Sequence, residues 1–439
     1  PTETDIGQAL GKTASLVSET GIEDLINLPP MTDIKSLAAL RILSTINSAT
    51  YFVSPKLYTL NVLSMVNLSI AYGNTVTSTF AYATYGLILC GVANDIESGY
   101  RCGKLALNLS SQSSDKKFYP KVLFIVATLI VHWKSHLQES LPLFQSAYQN
   151  GLEIGDLEYI AWSYYHECHA LYSMGLELDT LERKIRSYSH AIRQSKQELV
   201  LSYSDRLHQV ILNLMGLSAA PCCLIGEVYN ETRFLPQYQA ANNRSALFYL
   251  YLHKLLLCYL FGSYPQAIEN ATMAANYVDG VPSQYIIPIL YFYDSLAHLA
   301  MYASLSDSDQ NCVLEKVKSN QNKMQRWAYY APMNYLHKFQ LVEAEKYRII
   351  GLNYQAMDEY DRAIQGAAEH GYLQEEALAN ERAAEFYLAL GKEKIAKTYM
   401  TDAYYGYIRW GAKAKVRDLE QKYAQLITQK IVRETYTIN

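Results

Sequence analysis

The sequence predicts an all-α protein made of tetratricopeptide-like helical hairpins that stack into a superhelix, an α-solenoid. Three observations support this fold class. First, only 12 prolines and 21 glycines interrupt 439 residues, too few for a turn-rich β-architecture. Second, half of the residues are hydrophobic and 18% are charged, so a large core can form. Third, glycine-centred signatures recur along the chain, and no stretch shows sustained strand-type alternation.

Capping signals mark the helix boundaries in the N-terminal part. Ser54-Pro55 predicts the start of a helix and Gly73-Asn74 predicts its end. Asp95 begins a helix that runs to about residue 109. Residues 57–94 contain no charged side chain, but Gly73-Asn74 interrupts them, which favours two buried helices over a membrane span. Further helices are expected over 76–92, 119–134, 137–150, 156–174 and 179–216.

The repeat signal consists of large, glycine, aromatic and small residues at fixed offsets. Gly351 is predicted to pack against Ala363, and Gly391 against Ala403, where two helices cross most closely. One match comprises Tyr347, Ile350, Gly351, Tyr354 and Ala363, and another comprises Tyr387, Leu390, Gly391, Ala403 and Tyr407. Weaker matches comprise Phe261, Gly262, Tyr264 and Ala274, and Leu171, Met174 and Gly175.

One segment near the N-terminus resembles a phosphate-binding loop. It reads Gly7-Gln-Ala-Leu-Gly11-Lys12-Thr13. A functional loop needs four residues between its two glycines and a preceding strand, so that backbone amides wrap the phosphates. Here the spacing is one residue short and only six residues precede Gly7. No nucleotide site is therefore predicted.

Two histidine pairs have the spacing of neighbours on one helix face. They are His132 with His136 and His166 with His169. Such pairs can ligate a metal, but no carboxylate stands at the spacing of a metalloenzyme motif. The alternative, which we favour, is that they hydrogen bond within grooves between helices.

No catalytic constellation is found, and the chain is predicted not to be an enzyme. Serine-hydrolase, zinc-protease, kinase-loop and dinucleotide-loop motifs are missing from the sequence. Catalytic residues, cofactor and metal are therefore each predicted as none, and ligand-binding residues are left unknown. The net charge of −4 gives no basic face, so nucleic acid is not an expected partner.

The cysteines indicate the redox compartment of the protein, and the tyrosines bear on whether it has a recognition surface. The cysteines lack framework spacing and are read as reduced, buried thiols in helical stretches of a cytoplasmic protein. Tyrosine occurs 39 times against 11 phenylalanines. Tyrosines suit half-buried positions between helices, and they also suit a concave recognition groove. The cysteines are Cys90, Cys102, Cys168, Cys222, Cys223, Cys258 and Cys312.

Several short phrases, taken together in order, resemble the helical region of very large bacterial multi-sensor kinases. The resemblance spans nearly the whole chain and implies that flanking domains carry the catalysis. Those domains would be a serine/threonine-kinase-like domain, an AAA-type signalling ATPase of the STAND class, a GAF domain and a histidine kinase. The phrases are Ile22-Glu-Asp-Leu-Ile26, Pro30-Met-Thr-Asp33, Met65-Val-Asn-Leu68, Tyr85-Gly-Leu-Ile-Leu-Cys-Gly91, His132-Trp133-Lys134, Phe292-Tyr-Asp-Ser-Leu296 and Trp410-Gly-Ala412.

The resemblance and the charge distribution together predict a division of the chain. Residues 1–30 would link to an upstream ATPase, and 31–338 would form an apolar repeat array. Charged residues are about twice as dense after residue 338; 339–411 would be tetratricopeptide-like repeats and 412–439 a connector helix. The expected function is a non-catalytic regulatory scaffold that contacts flanking domains or a partner protein. The alternative is a superhelix that binds a small-molecule inducer such as a sugar or lipid.

Overall fold

The computed structural model describes residues 1–427, except for the side chains of residues 52 and 53. About 80% of the chain is helical and the described part contains 20 α-helices without a strand, which confirms the all-α prediction. The first ten are α1 (Glu3–Thr20), α2 (Ile34–Val53), α3 (Pro55–Tyr72), α4 (Val76–Gly91), α5 (Ile96–Gln112), α6 (Tyr119–Leu129), α7 (Ser140–Ile154), α8 (Leu157–Ser173), α9 (Leu178–Gln194) and α10 (Glu198–Leu214). The others are α11 (Glu231–Ala240), α12 (Arg244–Leu260), α13 (Tyr264–Ala275), α14 (Ile286–Met301), α15 (Asp307–Tyr330), α16 (Pro332–Ile349), α17 (Asn353–Glu369), α18 (Leu373–Ala389), α19 (Glu393–Trp410) and α20 (Lys413–Lys422).

The predicted caps around α3, α4 and α5 are confirmed. Ser54 accepts a hydrogen bond from the amide of Leu57 at 3.3 Å, with Pro55 at the first helical position. Gly73 ends α3, and Asp95 accepts a hydrogen bond from the amide of Ser98 at 3.1 Å. The uncharged stretch 57–94 forms two helices of the stack, as predicted, but their burial differs. α4 is buried at 14 of its 16 residues, whereas α3 is buried at 8 of 18 and exposes Leu57 and Tyr72 near its ends.

Two helix predictions are wrong in detail. The segment 179–216 is two helices, because Lys196 adopts a left-handed conformation with φ of 57° between α9 and α10. The segment 119–134 leaves the α-helix after Leu129 and continues as a 3-10 turn over Val131–Trp133. Neither break contains a glycine or proline, so no helix-breaking residue marks it in the sequence.

The predicted role of the repeat glycines is wrong. Gly351 and Gly391 have φ of 78° and 70° and follow the ends of α16 and α18. A Cβ atom added to either would meet no atom within 4 Å, so neither packs against Ala363 or Ala403. These glycines instead supply the left-handed residue that ends a helix.

Close helix contacts occur at other glycines. A Cβ on Gly406 of α19 would lie 2.8 Å from the Cβ of Ala377 on α18. A Cβ on Gly86 of α4 would lie 2.8 Å from the carbonyl oxygen of Gly99 on α5. The glycine that allows two helices to approach therefore sits mid-helix, while the glycine of the recognisable signature terminates the helix.

The C-terminal helices fold back on the middle of the chain. Gln374 of α18 donates a hydrogen bond to the carbonyl of Ser173 at 2.6 Å, and Lys415 of α20 donates to the carbonyl of Leu260 at 2.6 Å. Asn334 of α16 donates to the carbonyl of His132 at 2.8 Å. The hydrophobic core is consequently one continuous cluster that reaches from α1 to the turn after α20.

Two further predictions concern the first helix and the last described segment of the chain. The phosphate-loop look-alike lies inside α1, where its amides belong to a helix rather than a loop. The described part of the predicted connector is helical only to Lys422, because a turn then buries Leu426 and lets Tyr423 donate a hydrogen bond to Glu385 at 2.6 Å. The remainder of that connector, residues 428–439, lies outside the described residues.

One described helical stretch is long and apolar enough to cross a membrane by length and composition. It covers Ile286–Ser304, which includes α14, and 61% of its most apolar window is buried within the protein. α14 packs against α12, α13, α15 and α16. This stretch is therefore a core helix of the stack in the structure.

Candidate ligand-binding site

A cavity opens between seven helices in the first two thirds of the chain. Its open space is about 740 Å³ with the solvent at the mouth included. The lining residues are Asn47, Ser48 and Tyr51 of α2, Tyr58 of α3, Phe80 and Leu87 of α4, Phe124, Ile125, Thr128 and Leu129 of α6, Glu158, Tyr159, Trp162 and His166 of α8, Tyr203 of α10, Ser245 and Tyr249 of α12, and Gln284 before α14.

Nine of the lining side chains carry rings, and α8 contributes three of them. Tyr159, Trp162 and His166 are spaced three and four residues apart, which places them on one helix face. Phe124 of α6 meets Tyr159 and His166 edge to face, with ring centroids 5.4 and 5.3 Å apart. Trp162 meets Tyr203 edge to face at 5.5 Å. The walls are thus a rigid, interlocked set of aromatic groups.

Amide side chains anchor several of the tyrosine hydroxyls. Tyr249 donates a hydrogen bond to the side-chain oxygen of Gln284 at 2.6 Å, and Gln284 also pairs with the Tyr51 hydroxyl. Asn47 pairs with the Tyr58 hydroxyl and accepts a hydrogen bond from Asn61 at 2.9 Å. Because these phenols are already paired within the protein, the walls offer a ligand mainly ring and aliphatic surface.

Two buried side chains of the lining keep a polar atom without a partner. Nδ1 of His166 and Oγ1 of Thr128 make no hydrogen bond, and the two residues are 4% and 1% exposed. Burial lowers the pKa of His166 to about 3, so its imidazole is neutral at physiological pH. An unsatisfied buried polar atom is costly, which makes both atoms candidates to bind a ligand.

The lining of the cavity itself carries little charge. Glu158 is the sole ionisable carboxylate or cation among the lining residues, and partial burial raises the pKa of its carboxyl. Arg206 does not line the cavity but lies over the rings of Tyr203 and Tyr249, at 4.5 and 5.3 Å from their centroids. The Arg206 side chain is fully buried, and its Nε and Nη2 make no hydrogen bond.

The first predicted histidine pair does not lie on one helix face. His132 is in the 3-10 turn after α6, where its Nδ1 meets the Tyr335 hydroxyl at 2.6 Å and its Nε2 meets the carbonyl of Ser283 at 2.9 Å. His136 follows in a loop, and its Nε2 meets the carbonyl of His370 at 3.0 Å. The early end of α6 therefore places these side chains in hydrogen bonds between distant segments.

The second pair does share α8. His169 meets the Tyr285 hydroxyl at 2.9 Å and Nε2 of His253 at 3.2 Å, whereas His166 lines the cavity. Over residues 1–427 no group of three or more histidine, cysteine, aspartate or glutamate side chains is arranged to hold a metal ion. His166 is thus part of the aromatic cavity rather than of a recognisable metal cluster.

The interpretation of all cysteines as buried thiols within helices is wrong for three of them. Cys222 and Cys223 are half-buried in the loop between α10 and α11, because the chain leaves the helix at Leu214. Cys312 is exposed on α15, a helix with a polar outer face. All seven are free thiols.

The sequence left the ligand-binding residues unknown, and His166, considered there as a possible metal ligand, is the one lining residue that it singled out. The aromatic stripe of Tyr159, Trp162 and His166 on α8 was the available signal. The other walls come from six further helices and one loop. Their convergence depends on the packing of the whole stack, which local patterns do not encode.

Comparison with known proteins gives a distant similarity. No family model matches the chain. The hybrid signal transduction histidine kinase G of Dictyostelium discoideum is 24% identical over 184 residues. That region is 42% of this chain and 5% of the kinase, so the chain spans a small fraction of that protein. Over part of its length the chain is therefore similar to a signal-transduction histidine kinase.

Proposed function

We propose that this chain is a non-catalytic regulatory module of a signal-transduction kinase, and that it senses a small molecule in the aromatic cavity. The similarity to a hybrid histidine kinase supports the signalling context. The cavity itself carries the proposal of sensing, because a partly enclosed, aromatic space with few unpaired polar groups is the usual form of a small-molecule site.

The cavity also supports a choice between the two expected roles. A pure scaffold needs an extended groove or an exposed apolar patch, whereas a sensor needs a recess with a few convergent polar groups. His166 and Thr128 provide such groups inside the aromatic walls. We therefore place ligand sensing first, with contacts to other domains as the means of output.

A chain of buried polar and aromatic contacts connects the cavity to the C-terminal repeats. The rings of Tyr249 and His169 are 5.1 Å apart, and His169 meets the Tyr285 hydroxyl at 2.9 Å. Tyr285 lies against His132 at 5.8 Å, and His132 meets the Tyr335 hydroxyl of α16 at 2.6 Å. A ligand that repositions Tyr249 would act on α16 through this series.

Exposed apolar residues at the links between the C-terminal helices favour output through protein contact. At the α16–α17 junction Tyr354 is 85% exposed, and Ile350 and Leu352 are exposed beside it. Leu390 and Ile395 are exposed at the corresponding α18–α19 junction. We propose that this surface contacts a flanking domain or a partner protein. The resemblance to multi-sensor kinases suggests an upstream STAND-type ATPase or a downstream GAF and histidine-kinase region as that domain.

The test measures phosphohistidine in the intact kinase polypeptide that contains this chain. Ser48→Trp places a large ring at the cavity mouth, and Leu152→Trp, at an exposed position of α7, is the matched control. We expect the steady-state phosphohistidine level to change at least fivefold in the first variant and to stay within twofold of wild type in the second. Unchanged phosphorylation in both variants would remove the sensing role.

A further inference from the structure

The charge and polarity of the cavity narrow the class of ligand, provided that the cavity is the sensing site proposed above. We propose that it binds an uncharged, ring-containing small molecule with a single hydrogen-bonding group, such as an aromatic alcohol, phenol or indole. The deep part of the cavity between α6 and α8 holds that group, and the aromatic walls hold the ring.

The walls favour a planar ring. Trp162, Phe124 and the five lining tyrosines present rigid surfaces to one space. Edge-to-face contacts between the wall rings leave ring surface available for an inserted ring. A flexible, polyhydroxylated molecule fits less well, because most lining hydroxyls and amides are already paired with one another.

An anionic ligand lacks a partner in the cavity. The lining contains neither lysine nor arginine, and Glu158 at the mouth would repel a second negative charge. Two cations lie against lining rings instead: Arg206 stacks on Tyr203 and Tyr249, and Lys121 lies 4.9 Å from the ring centroid of Tyr159. Lys121 already pairs with Asp156 at 3.7 Å. A buried anion without a direct counter-charge bears a large desolvation cost.

A cationic ligand meets the opposite obstacle. Aromatic walls and one carboxylate would attract a cation in isolation. However, Arg206 is a fully buried positive charge behind two of those walls, and neither its Nε nor its Nη2 has a hydrogen-bond partner. At low effective dielectric this charge opposes a second cation in the inner half of the cavity.

His166 and Thr128 provide the groups that would hydrogen bond to the polar group of the ligand. The neutral imidazole has one donor and one acceptor nitrogen, and the threonine hydroxyl can both donate and accept. The Nδ1 and Oγ1 atoms of these two side chains are unpaired, and the residues come from α8 and α6, which pack together. One ligand hydroxyl, which both donates and accepts, could pair with both atoms, whereas an N–H group could donate to one of them.

The experiment compares ligands with one benzene ring and one substituent of different charge. Benzyl alcohol, benzylamine, benzoate and toluene are titrated into the 439-residue chain near neutral pH by ligand-observed NMR. We expect benzyl alcohol to bind at least tenfold more tightly than benzylamine or benzoate. Ser48→Trp should abolish the binding, whereas the exposed variant Leu152→Trp should retain it.

A second variant tests the hydrogen bond from Thr128 to the ligand without changing the shape of the side chain. Thr128→Val keeps the side-chain volume and removes the hydroxyl. It should lower the affinity for benzyl alcohol about fivefold, which is the effect of losing one neutral hydrogen bond, and leave the affinity for toluene unchanged. A matching loss for toluene would show that Thr128 acts only through packing and would overturn its assigned role.

The outcomes separate this inference from the proposed function. Tighter binding of benzylamine or benzoate, blocked by Ser48→Trp, would overturn the uncharged class but leave the cavity as the sensing site. Binding of none of the four compounds at millimolar concentration would overturn the ligand class. In that case an unchanged phosphohistidine level in the Ser48→Trp kinase would also overturn the sensing role.

Discussion

Glu381 illustrates how single residues hold the C-terminal helices together. Its carboxylate accepts hydrogen bonds from Lys415 at 2.8 Å, Arg382 at 2.9 Å and Tyr407 at 2.7 Å. Burial opposes ionisation of this carboxyl, but the charges of Lys415 and Arg382 outweigh it and lower the pKa of Glu381 to about 2. These contacts join α18 to α19 and α20.

Glu381→Gln should be strongly destabilising at neutral pH. It removes the carboxylate that Lys415 and Arg382 share and leaves each cation one other acidic partner, Asp418 at 3.1 Å and Glu385 at 2.8 Å respectively. Because the broken pair is buried, the expected cost is about 3 kcal/mol, the lower end of the usual range. Because the folded-state pKa is lowered from 4.5 to about 2, the stabilisation by Glu381 is complete above about pH 4.5 and disappears as the pH falls towards 2. Urea unfolding of wild type and Glu381→Gln from pH 7 to pH 3 measures how the difference in the free energy of unfolding depends on pH.

The control for that experiment is Glu153→Gln on α7, where the carboxylate is exposed. It should change the free energy of unfolding by less than about 0.5 kcal/mol. If the difference between wild type and Glu381→Gln does not narrow at acid pH, the ionised carboxylate is not the source of the stability.

Ser283 shows a second kind of residue-level constraint, next to the cavity. It is fully buried with φ of 63°, its hydroxyl donates to the carbonyl of Leu129 at 2.6 Å, and it accepts from Nε1 of Trp133 at 2.9 Å. Ser283→Ala should cost about 1–3 kcal/mol, since it leaves the indole N–H unsatisfied. Thermal unfolding would measure this, and a Tm equal to wild type would contradict it.

At the scale of helix pairs, packing depends on small residues at points of close approach. Gly406→Ala forces a Cβ to within 2.8 Å of the Cβ of Ala377, and α18 and α19 must separate to accommodate it. The expected cost is about 1–3 kcal/mol. Gly11→Ala is the control, because Gly11 is in the interior of α1 and its added Cβ would meet nothing within 4 Å.

Gly11→Ala should be neutral or stabilise by up to about 1 kcal/mol, since alanine restricts the unfolded chain and favours a helix. Chemical denaturation of the two variants gives the comparison. Equal effects of both substitutions would show that the α18–α19 contact does not depend on a missing side chain at residue 406.

Much of this helix-level organisation could be predicted from the sequence. Ser54, Gly73 and Asp95 cap helices as expected, since caps depend on a few neighbouring residues. The signature glycines Gly351 and Gly391 were located correctly but misassigned, because a glycine that ends a helix and one that admits a neighbouring helix are identical in sequence. The break at Lys196 had no local signal.

At the scale of the whole molecule, the cavity depends on contacts that are distant in sequence. Its walls come from Asn47 through Gln284, and Tyr249 and Gln284 are joined across 35 positions by one hydrogen bond. Amphipathic patterns predict which helix faces are buried but not which seven helices meet. The ligand site could therefore not be predicted from local sequence patterns. The abundance of tyrosine indicated either half-buried positions between helices or a recognition groove.

On the proposed function, a ligand in the aromatic cavity alters the C-terminal helices α16 and α18. Hydrogen exchange of the chain with and without saturating benzyl alcohol, in wild type and in Ser48→Trp, tests it most directly. We predict slower exchange in α8 and α12, which form the walls, and also in α16 and α18, with no change in Ser48→Trp. Protection confined to the helices of the cavity, with α16 and α18 unchanged, would contradict the claim.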